Sequence, residues 1–536
     1  MSSQFVRVEA VNLANFIEDT QDLSTVRGGG LLLLNFPEAL PALVAAGKIH
    51  TGASAGLFKV SLPEGENAEN FCEALRADLA SGARQEATFV VDCCPDHGDF
   101  VRDHALAVAS NRWRQMQSPS VILPKPGAGP CEVDRVRPWA EELLWKGAVY
   151  APTPEERNKK VSKSVEQRRK YGLDQKLGFY EKHAKGLRYT DFTNDLGQIA
   201  DYPDAGKLHR KIALIYLDGN GFGAIKRSCV DTTALAAWSK RMDANQDAFL
   251  SWLLSIPPGR PASEWTWSGE VVSNSGARIP KQNAFRIETL LWGGDEIVWV
   301  VPAWTGWWVL QKFFELYGHV GHSRPEFDPD GKGARPLTHS ATVVFCHYNA
   351  PIHRINALAH RLTEAPKRLI QRGAEAVPKQ TPRNYCAYQA LESFDHLGGD
   401  PEAARGDLVA PLGVGPEALL LQGEDMAAVH TAITQLKDGL ARSRLHDVLA
   451  RIYRDKNVQR GLDAGRQAVA RAERESPGAE SAFGALSAVS AGSVPGVTPE
   501  IREAIAWLHA GELWDYIAPV SWPVPQVQPA SGSATS

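Results

Sequence analysis

Asp218, Asp295 and Glu296 are the residues whose types and spacing best suit chemistry. Asp295 and Glu296 directly follow Gly293-Gly294 inside FRIETLLWGGDEIVWVVP, residues 285–302. Two apolar, β-rich runs around a glycine pair signal a tight hairpin. Neighbouring carboxylates at a hairpin tip repel each other, and a divalent cation is the usual remedy. Asp218 closes a second apolar run, Ile212 to Leu217, and opens Asp-Gly-Asn-Gly-Phe-Gly, residues 218–223. Gly219, Gly221 and Gly223 permit close approach of a phosphate to the backbone. Gly219-Asn220-Gly221-Phe222-Gly223 is therefore the candidate nucleotide-binding loop. Acids of this kind suit Mg²⁺ or Mn²⁺, which take carboxylates together with phosphate oxygens. One ion would activate an attacking ribose hydroxyl and the other would stabilise departing pyrophosphate.

The elements that must position these acids lie in residues 206–372. The strand at 212–217 is followed by a helix pattern from Thr232 to Leu254, then the hairpin. A helix from Trp304 to Tyr317 follows, with Trp307, Leu310, Phe314 and Tyr317 on one core-facing stripe. A strand pattern over Thr338 to Tyr348 comes next, and then a helix opened by Pro351. The order is βαββαβ with one added helix, for which the expected strand order is 4-1-3-2. Strands one and three then lie side by side and antiparallel, which brings Asp218 and Asp295 to one sheet corner. Glu296 could point to either face, because neighbours on a strand alternate.

Residues 1–125 carry a similar alternation. Strand patterns occur at Phe5–Val8, Gly56–Ser61 and Ala87–Asp92, with a helix over Ala68–Ala80. Gly28-Gly29-Gly30 precedes Leu31–Leu34, and a helix is expected after it. A second ferredoxin-like unit is the expectation, with these glycines free to approach an acceptor nucleotide. Residues 126–205 read as a linker, partly helical and charged; Glu155–Lys160 and Arg168–Lys170 are expected to be solvated. Residues 373–518 read as a mainly helical domain, with a Gly-, Ala- and Ser-rich loop at 476–499, and 519–536 as a disordered tail.

The 536 residues are 43% hydrophobic and 22% charged, which is ordinary for a soluble globular protein with several cores. A formal net charge of −4 disfavours a dedicated nucleic-acid coat. No apolar run reaches the roughly 20 residues that span a bilayer, and MSSQFVRVEAVNL lacks a signal pattern. A cytoplasmic protein without membrane contact is expected. The seven cysteines are odd in number and contain no CxxC, so reduced thiols are expected. Cys93, Cys94, His97 and Cys131 form a poor zinc set, because adjacent cysteines make poor ligand geometry. His339 and His347 are about 26 Å apart along one strand and cannot share a metal. His446-Asp447 sits in an amphipathic helix pattern and reads as surface.

YLDGNGFG at 216–223, GGDE at 293–296 and THSATVVFCHYNAPIHRINALAHRLTEAPK at 338–367 together resemble the second palm of the type III CRISPR large-subunit polymerase/cyclase family. The GGDE turn is also similar to GGDEF diguanylate cyclases. FIEDTQDLSTVRGGGLLLL at 16–34 resembles that CRISPR family's first, degenerate palm. The resemblance implies an α+β chain of two ferredoxin-like palms and a helical C-terminal domain. It implies nucleotidyl transfer on ATP to give a cyclic oligonucleotide signal, with RNA or CRISPR-effector subunits as partners. The family's metal site maps onto Asp218, Gly219, Asp295 and Glu296, its phosphate-contacting lysine onto Lys367, and its small turn residues onto Gly293 and Gly294. Pro366 is expected to bend or end the helix beside Lys367. Members usually carry Asp where Glu296 stands, an HD nuclease domain and a four-cysteine zinc finger; neither domain is recognisable here. A stand-alone member in antiviral defence is therefore expected. A non-catalytic palm scaffold that binds nucleotide or RNA, and a GTP-using dinucleotide cyclase, are the alternatives.

Overall fold

The computed structural model describes residues 2–117, 129–140, 159–187, 189, 191–255, 262–272, 278–320, 323–376, 383–392, 400–492, 494 and 496–517. Mixed α+β architecture is observed, with largely antiparallel sheets. The first sheet comprises β1 (Ser2–Val11), β2 (Lys48–Thr51), β3 (Ala55–Leu62) and β4 (Thr88–Pro95). Helix α1 (Leu23–Leu34) follows β1, α2 (Ala68–Leu79) follows β3, and α3 (Phe100–Gln117) follows β4. The spatial order is β2-β3-β1-β4, the expected 4-1-3-2 arrangement.

Helices α4 (Lys163–Asp174) and α5 (Lys176–His183) lead to the second sheet. Its first strand is β5 (Lys211–Gly219), followed by α6 (Phe222–Arg227) and α7 (Thr232–Leu254). A hairpin that the sequence reading did not anticipate, β6 (Thr266–Val272) and β7 (Arg278–Phe285), intervenes. Then come β8 (Glu288–Gly293), β9 (Glu296–Pro302), α8 (Ala303–Leu316), β10 (His339–His347) and α9 (Ile352–Ala376). Strands β11 (Tyr385–Ala390) and β12 (Leu421–Gln422) extend this sheet beyond the expected four, to the order β12-β11-β10-β5-β9-β8. They come from a region read as helical: β11 pairs in parallel with β10 and is buried at Cys386, Ala387 and Tyr388.

The C-terminal helices are α10 (Pro401–Val409), α11 (Met426–Gly439), α12 (Arg442–Leu449), α13 (Val458–Glu475), α14 (Ala479–Val489) and α15 (Pro499–Leu513). Helix α14 lies within the segment read as a loop. Its Ala content favours helix, and Ala482, Phe483 and Leu486 bury one face. His446 lies exposed on α12 and Asp447 pairs with Arg451, so this dipeptide is helix surface as expected. The tail 519–536 and Glu155–Asn158 lie outside the described residues.

Two expectations for the N-terminal half are corrected. Gly28, Gly29 and Gly30 lie inside α1, and each meets a different neighbour at backbone distance. A Cβ on Gly28 would sit 1.7 Å from the Arg168 carbonyl oxygen, one on Gly29 3.1 Å from that of Phe16, and one on Gly30 2.9 Å from that of Leu290. These glycines let α1 pack between α4 and β8, so they do not face an acceptor nucleotide. Arg168, read as solvated, is fully buried and holds Asp19 through two nitrogens at 2.8 and 2.9 Å. Beside it, Arg27 on α1, Lys176 on α5 and Glu288 on β8 form a buried triad. Arg27 Nη2 and Lys176 Nζ each lie 2.7 Å from Glu288 Oε2. Burial, with Arg27 adding to it, pulls the Lys176 ammonium down to about 7. Around Arg168 and Lys176 the segment between the sheets is thus a packed, charged joint, while Lys159, Lys160 and Lys170 are exposed as expected.

Candidate active site

The acid corner forms where β5 ends and β9 begins. Asp218 is the register partner of Glu296, and the Gly219 amide donates to the Asp295 carbonyl at 2.9 Å. Gly293 pairs with Glu296, which makes Gly294-Asp295 a two-residue hairpin loop. Gly293 and Gly294 have φ of 120° and 66°, values that side-chain-bearing residues seldom adopt, so the glycine pair is required by the turn.

Asp218 is only 7% exposed, and it lies with Tyr216 and Glu296 toward α9. Burial, strengthened by Asp295 and Glu296, raises its carboxyl to about 6 despite the opposing Lys367. Burial and Asp295 likewise raise Glu296, against a hydrogen bond that Tyr216 Oη donates to Glu296 Oε1 at 3.0 Å. Lys367 Nζ lies 2.8 Å from Asp218 Oδ2 and 3.0 Å from Glu364 Oε1. Helix α9 continues through Pro366 to Ala376, so the expected end at the proline is not observed and the lysine is aimed at the acid.

The loop after Asp218 divides into two roles. Gly221 caps α6 with φ 68°, and no heavy atom lies within 4 Å of a Cβ built there. Gly223 is also uncrowded, its built Cβ meeting only Arg227 at 3.4 Å. Gly219 is crowded instead: a Cβ would come within 2.3 Å of the Phe222 ring. Phe222 is 2% exposed and packs edge-on against Trp238 and His339, so its ring belongs to the core and cannot stack on a ligand. The Asn220 side chain donates to Thr338 Oγ1 at 3.0 Å and accepts from Ser340 Oγ at 2.7 Å, which fixes the loop to β10.

Several residues at the site gave no signal in the sequence reading. Tyr216 could have been found, since it lies two positions before Asp218 on the same strand face. Lys226, on α6, interacts electrostatically with Asp295 and with Glu9 of the first sheet. Beside Glu296 opens a cavity of about 400 Å³, bounded by Glu18, Tyr216, His353, Asn356 and His360. Glu18 comes from the segment between β1 and α1, more than 300 residues from α9, which is why spacing could not reveal it.

The four residues of the weak zinc set are not brought together. Cys93 Sγ lies 2.9 Å from Cys72 Sγ, Cys94 packs on the opposite sheet face, His97 pairs with Asp103, and Cys131 accepts the Val133 amide. His339 is buried among Phe222, Phe313 and Tyr317, and burial pulls it down to about 3. His347, at the other end of β10, is exposed.

Among the described residues, no three His, Cys, Asp or Glu side chains surround a common point. The corner instead offers hard carboxylate oxygens that raise one another's affinity for positive charge, with Lys367 as the nearest cation. That donor set fits an ion held by one or two carboxylates and completed by phosphate oxygens and water. No helix among the described residues is long and apolar enough to cross a membrane.

No family model and no curated protein matches the chain. Among solved structures, it is similar to a Csm1-Csm4 cassette in complex with cA4, at 12% identity and TM-score 0.40, over 68% of this chain and 53% of that one. The same cassette in complex with AMPPNP gives 13% identity and TM-score 0.41 over the same shares. Csm1 in T. onnurineus gives 12% identity and TM-score 0.39, over 68% of this chain and 52% of that one. The chain spans about half the length of these structures. One further match is a Csm1-Csm4 subcomplex in the type III-A CRISPR-Csm interference complex.

Proposed function

We propose that the chain is a metal-dependent nucleotidyltransferase that joins ATP into a cyclic oligonucleotide signal. The observation that carries this reading is the acid corner: Asp218, Asp295 and Glu296 meet at one sheet corner, with Lys367 on Asp218 and a cavity beside Glu296. Asp218, Asp295 and Glu296, with the Gly219 backbone, would hold Mg²⁺ or Mn²⁺. When bound, the metal supplies an acidified attacking hydroxyl and neutralises charge on departing pyrophosphate.

The chain's own residues then divide the remaining work. Gly221 and Gly223 leave the backbone open to phosphate. Lys367, whose ammonium now pairs with Asp218, would be the side chain to contact a phosphate oxygen. His353 Nδ1 and Asn356 Oδ1, buried without hydrogen-bond partners among the described residues, offer a donor or acceptor to a nucleobase in the cavity. The two units, held as one body by α1 and the buried triad, place Gly52 and Ala53 of the first sheet against the Gly293-Gly294 turn. The first sheet is then one wall of the site. Association with RNA or effector subunits belongs to the same proposal.

Incubation of the full chain with each NTP and Mn²⁺, followed by mass spectrometry of products, tests the reading. ATP-derived cyclic oligonucleotides are expected. Products from GTP alone would transfer the site to a dinucleotide cyclase. Nucleotide binding without turnover would favour a scaffold, for which the Lys367–Asp218 bond is the supporting observation.

A further inference from the structure

Helices α12 and α13 enclose a surface groove of about 600 Å³ far along the chain from the acid corner, with Arg444, Arg451, Arg460, Gln467, Arg471 and Arg474 on its walls. We propose that this groove docks the phosphodiester backbone of a nucleic acid, independently of nucleotidyl transfer.

The charge is local. Residues 442–475 hold nine Lys or Arg against five Asp or Glu, a surplus of four in a chain whose net charge is −4. Asp447 and Asp463 are the only acids on the groove, against five arginines. Arg444, Arg460 and Arg474 are exposed and carry no ion pair among the described residues. Arg451 and Arg471 pair only with Asp447 and Glu475, each at 3.1 Å and one helical turn away. Such surface pairs contribute little and exchange readily for a phosphate. All five cations are arginines, whose planar fork takes two phosphate oxygens at once.

The shape is that of a polymer site. Arg460, Gln467, Arg471 and Arg474 recur along one face of α13, while Leu462, Val469 and Ala472 bury the other. Fourteen residues of helix cover about 21 Å. That is about six steps of a nucleic-acid strand at 3.4 Å each, and longer than one mononucleotide requires. Val448 is the only large apolar residue on the walls and no aromatic side chain lines them. A protein partner would want such anchors.

The test uses the full chain in EDTA, with fluorescently labelled 20-mers of single- and double-stranded RNA and DNA, read by anisotropy across salt concentration. Five phosphate contacts predict a slope of log K on log salt of about −3.5 for a single strand, or about −4.5 for a duplex. A single strand should then bind about 100-fold more weakly at 200 mM than at 50 mM salt. The tightest of the four probes identifies the source of the backbone. In the variant Arg444→Gln/Arg460→Gln/Arg471→Gln/Arg474→Gln, one arginine remains, and the single-strand slope should fall to about −0.7. Affinity at 50 mM should fall at least tenfold with an unchanged melting temperature. Should the quadruple variant unfold, Arg460→Gln and Arg474→Gln alone should each lower the slope by about 0.7. Absence of binding to all four probes at 50 mM salt, or variants with unchanged affinity and slope, would overturn the proposal. Preferential binding of poly-glutamate would overturn it in favour of an acidic protein partner.

Discussion

The two sheets share one plan and differ at its corner. In the second, the Gly219 amide donates to the Asp295 carbonyl and Asp218 faces Glu296; in the first, the Ala10 amide donates to the Ser54 carbonyl and Glu9 faces Ala55. Glu9 therefore stands where Asp218 does, while Ser54 and Ala55 replace Asp295 and Glu296. The surroundings change to match. Arg7, two residues before Glu9, and Arg112 on α3 lie 2.7 and 3.3 Å from Glu9, so its single charge is satisfied by the protein. Arg112 corresponds to Lys367, each borne on the helix that follows the fourth strand. The helices also exchange partners: α1 of the first unit packs on β8, and α7 of the second packs on β2. On the face of β1 that bears Phe5, Arg7 and Glu9, Phe222 and Ile225 fill a cluster with Phe5, Leu57 and Ala107, whereas the space beside Glu296 stays open as the cavity. One topology thus supports a self-neutralised, filled corner and an acid-rich, open one. The two corners differ in three side chains and an unfilled volume, not in the sheet.

The strongest way to break this comparison is to neutralise the acids on each side. Asp218→Asn and Asp295→Asn should each lower divalent-dependent turnover by about 10³-fold or more, because metal stabilisation of the transition state is worth several kcal/mol. Glu9→Gln should leave turnover within about twofold. Equal losses in kcat on both sides would dissolve the distinction.

The joint between the sheets gives the next effect. Glu288→Gln leaves Arg27 and Lys176 buried with their shared counter-charge removed, a change that costs about 3–5 kcal/mol. A single cooperative urea transition with a lowered midpoint is expected. Two separate transitions in the native chain would show that the sheets fold apart.

The acid corner also leaves a mark on stability. Asp218, raised to about 6, binds its proton more tightly in the folded chain than in the unfolded one. Its contribution is therefore fully present below about pH 4 and lost as pH rises through about 6, at about 1.4 kcal/mol for each tenfold difference in proton affinity. Relative to Asp218→Asn, the native chain should lose roughly 2–3 kcal/mol across that window without metal. Saturating Mn²⁺ should restore it, since binding at 100 times Kd adds about 2.7 kcal/mol. A melting temperature indifferent to millimolar Mn²⁺, with and without nucleotide, would count against the metal site.

The smallest effect sharpens the comparison. Ser54→Asp/Ala55→Glu restores the acids to the first corner, yet turnover should change by less than about twofold, because Phe222 and Ile225 fill a cluster on that face of the sheet. A second, additive activity in a steady-state assay would show that acids alone suffice.

The sequence by itself determined what depends on neighbours along the chain. The Gly-Gly turn, the alternation around it and the acid after Leu217 are short-range patterns, and the 4-1-3-2 order follows once the strands and helices are assigned. They were enough to bring Asp218, Asp295 and Glu296 to one corner. Tertiary structure decided what each residue meets. Three consecutive glycines can free a loop or admit a neighbouring backbone, and only the packing of α1 against Arg168 and Leu290 selects the second. Phe222 sits in a glycine-rich loop, but burial beside Trp238 gives it to the core. Arg168 looks solvated until Asp19, 149 residues earlier, is folded against it. The parallel strand β11 escaped notice because β10, distant in sequence, fixes it, and the β6–β7 hairpin because β7, exposed over Arg278–Pro280, lacks the apolar alternation of a strand. Ionisation was the least legible, since the raised carboxyl of Asp218 arises from burial and from Asp295 and Glu296, against Lys367, and none of these shares a local pattern with it.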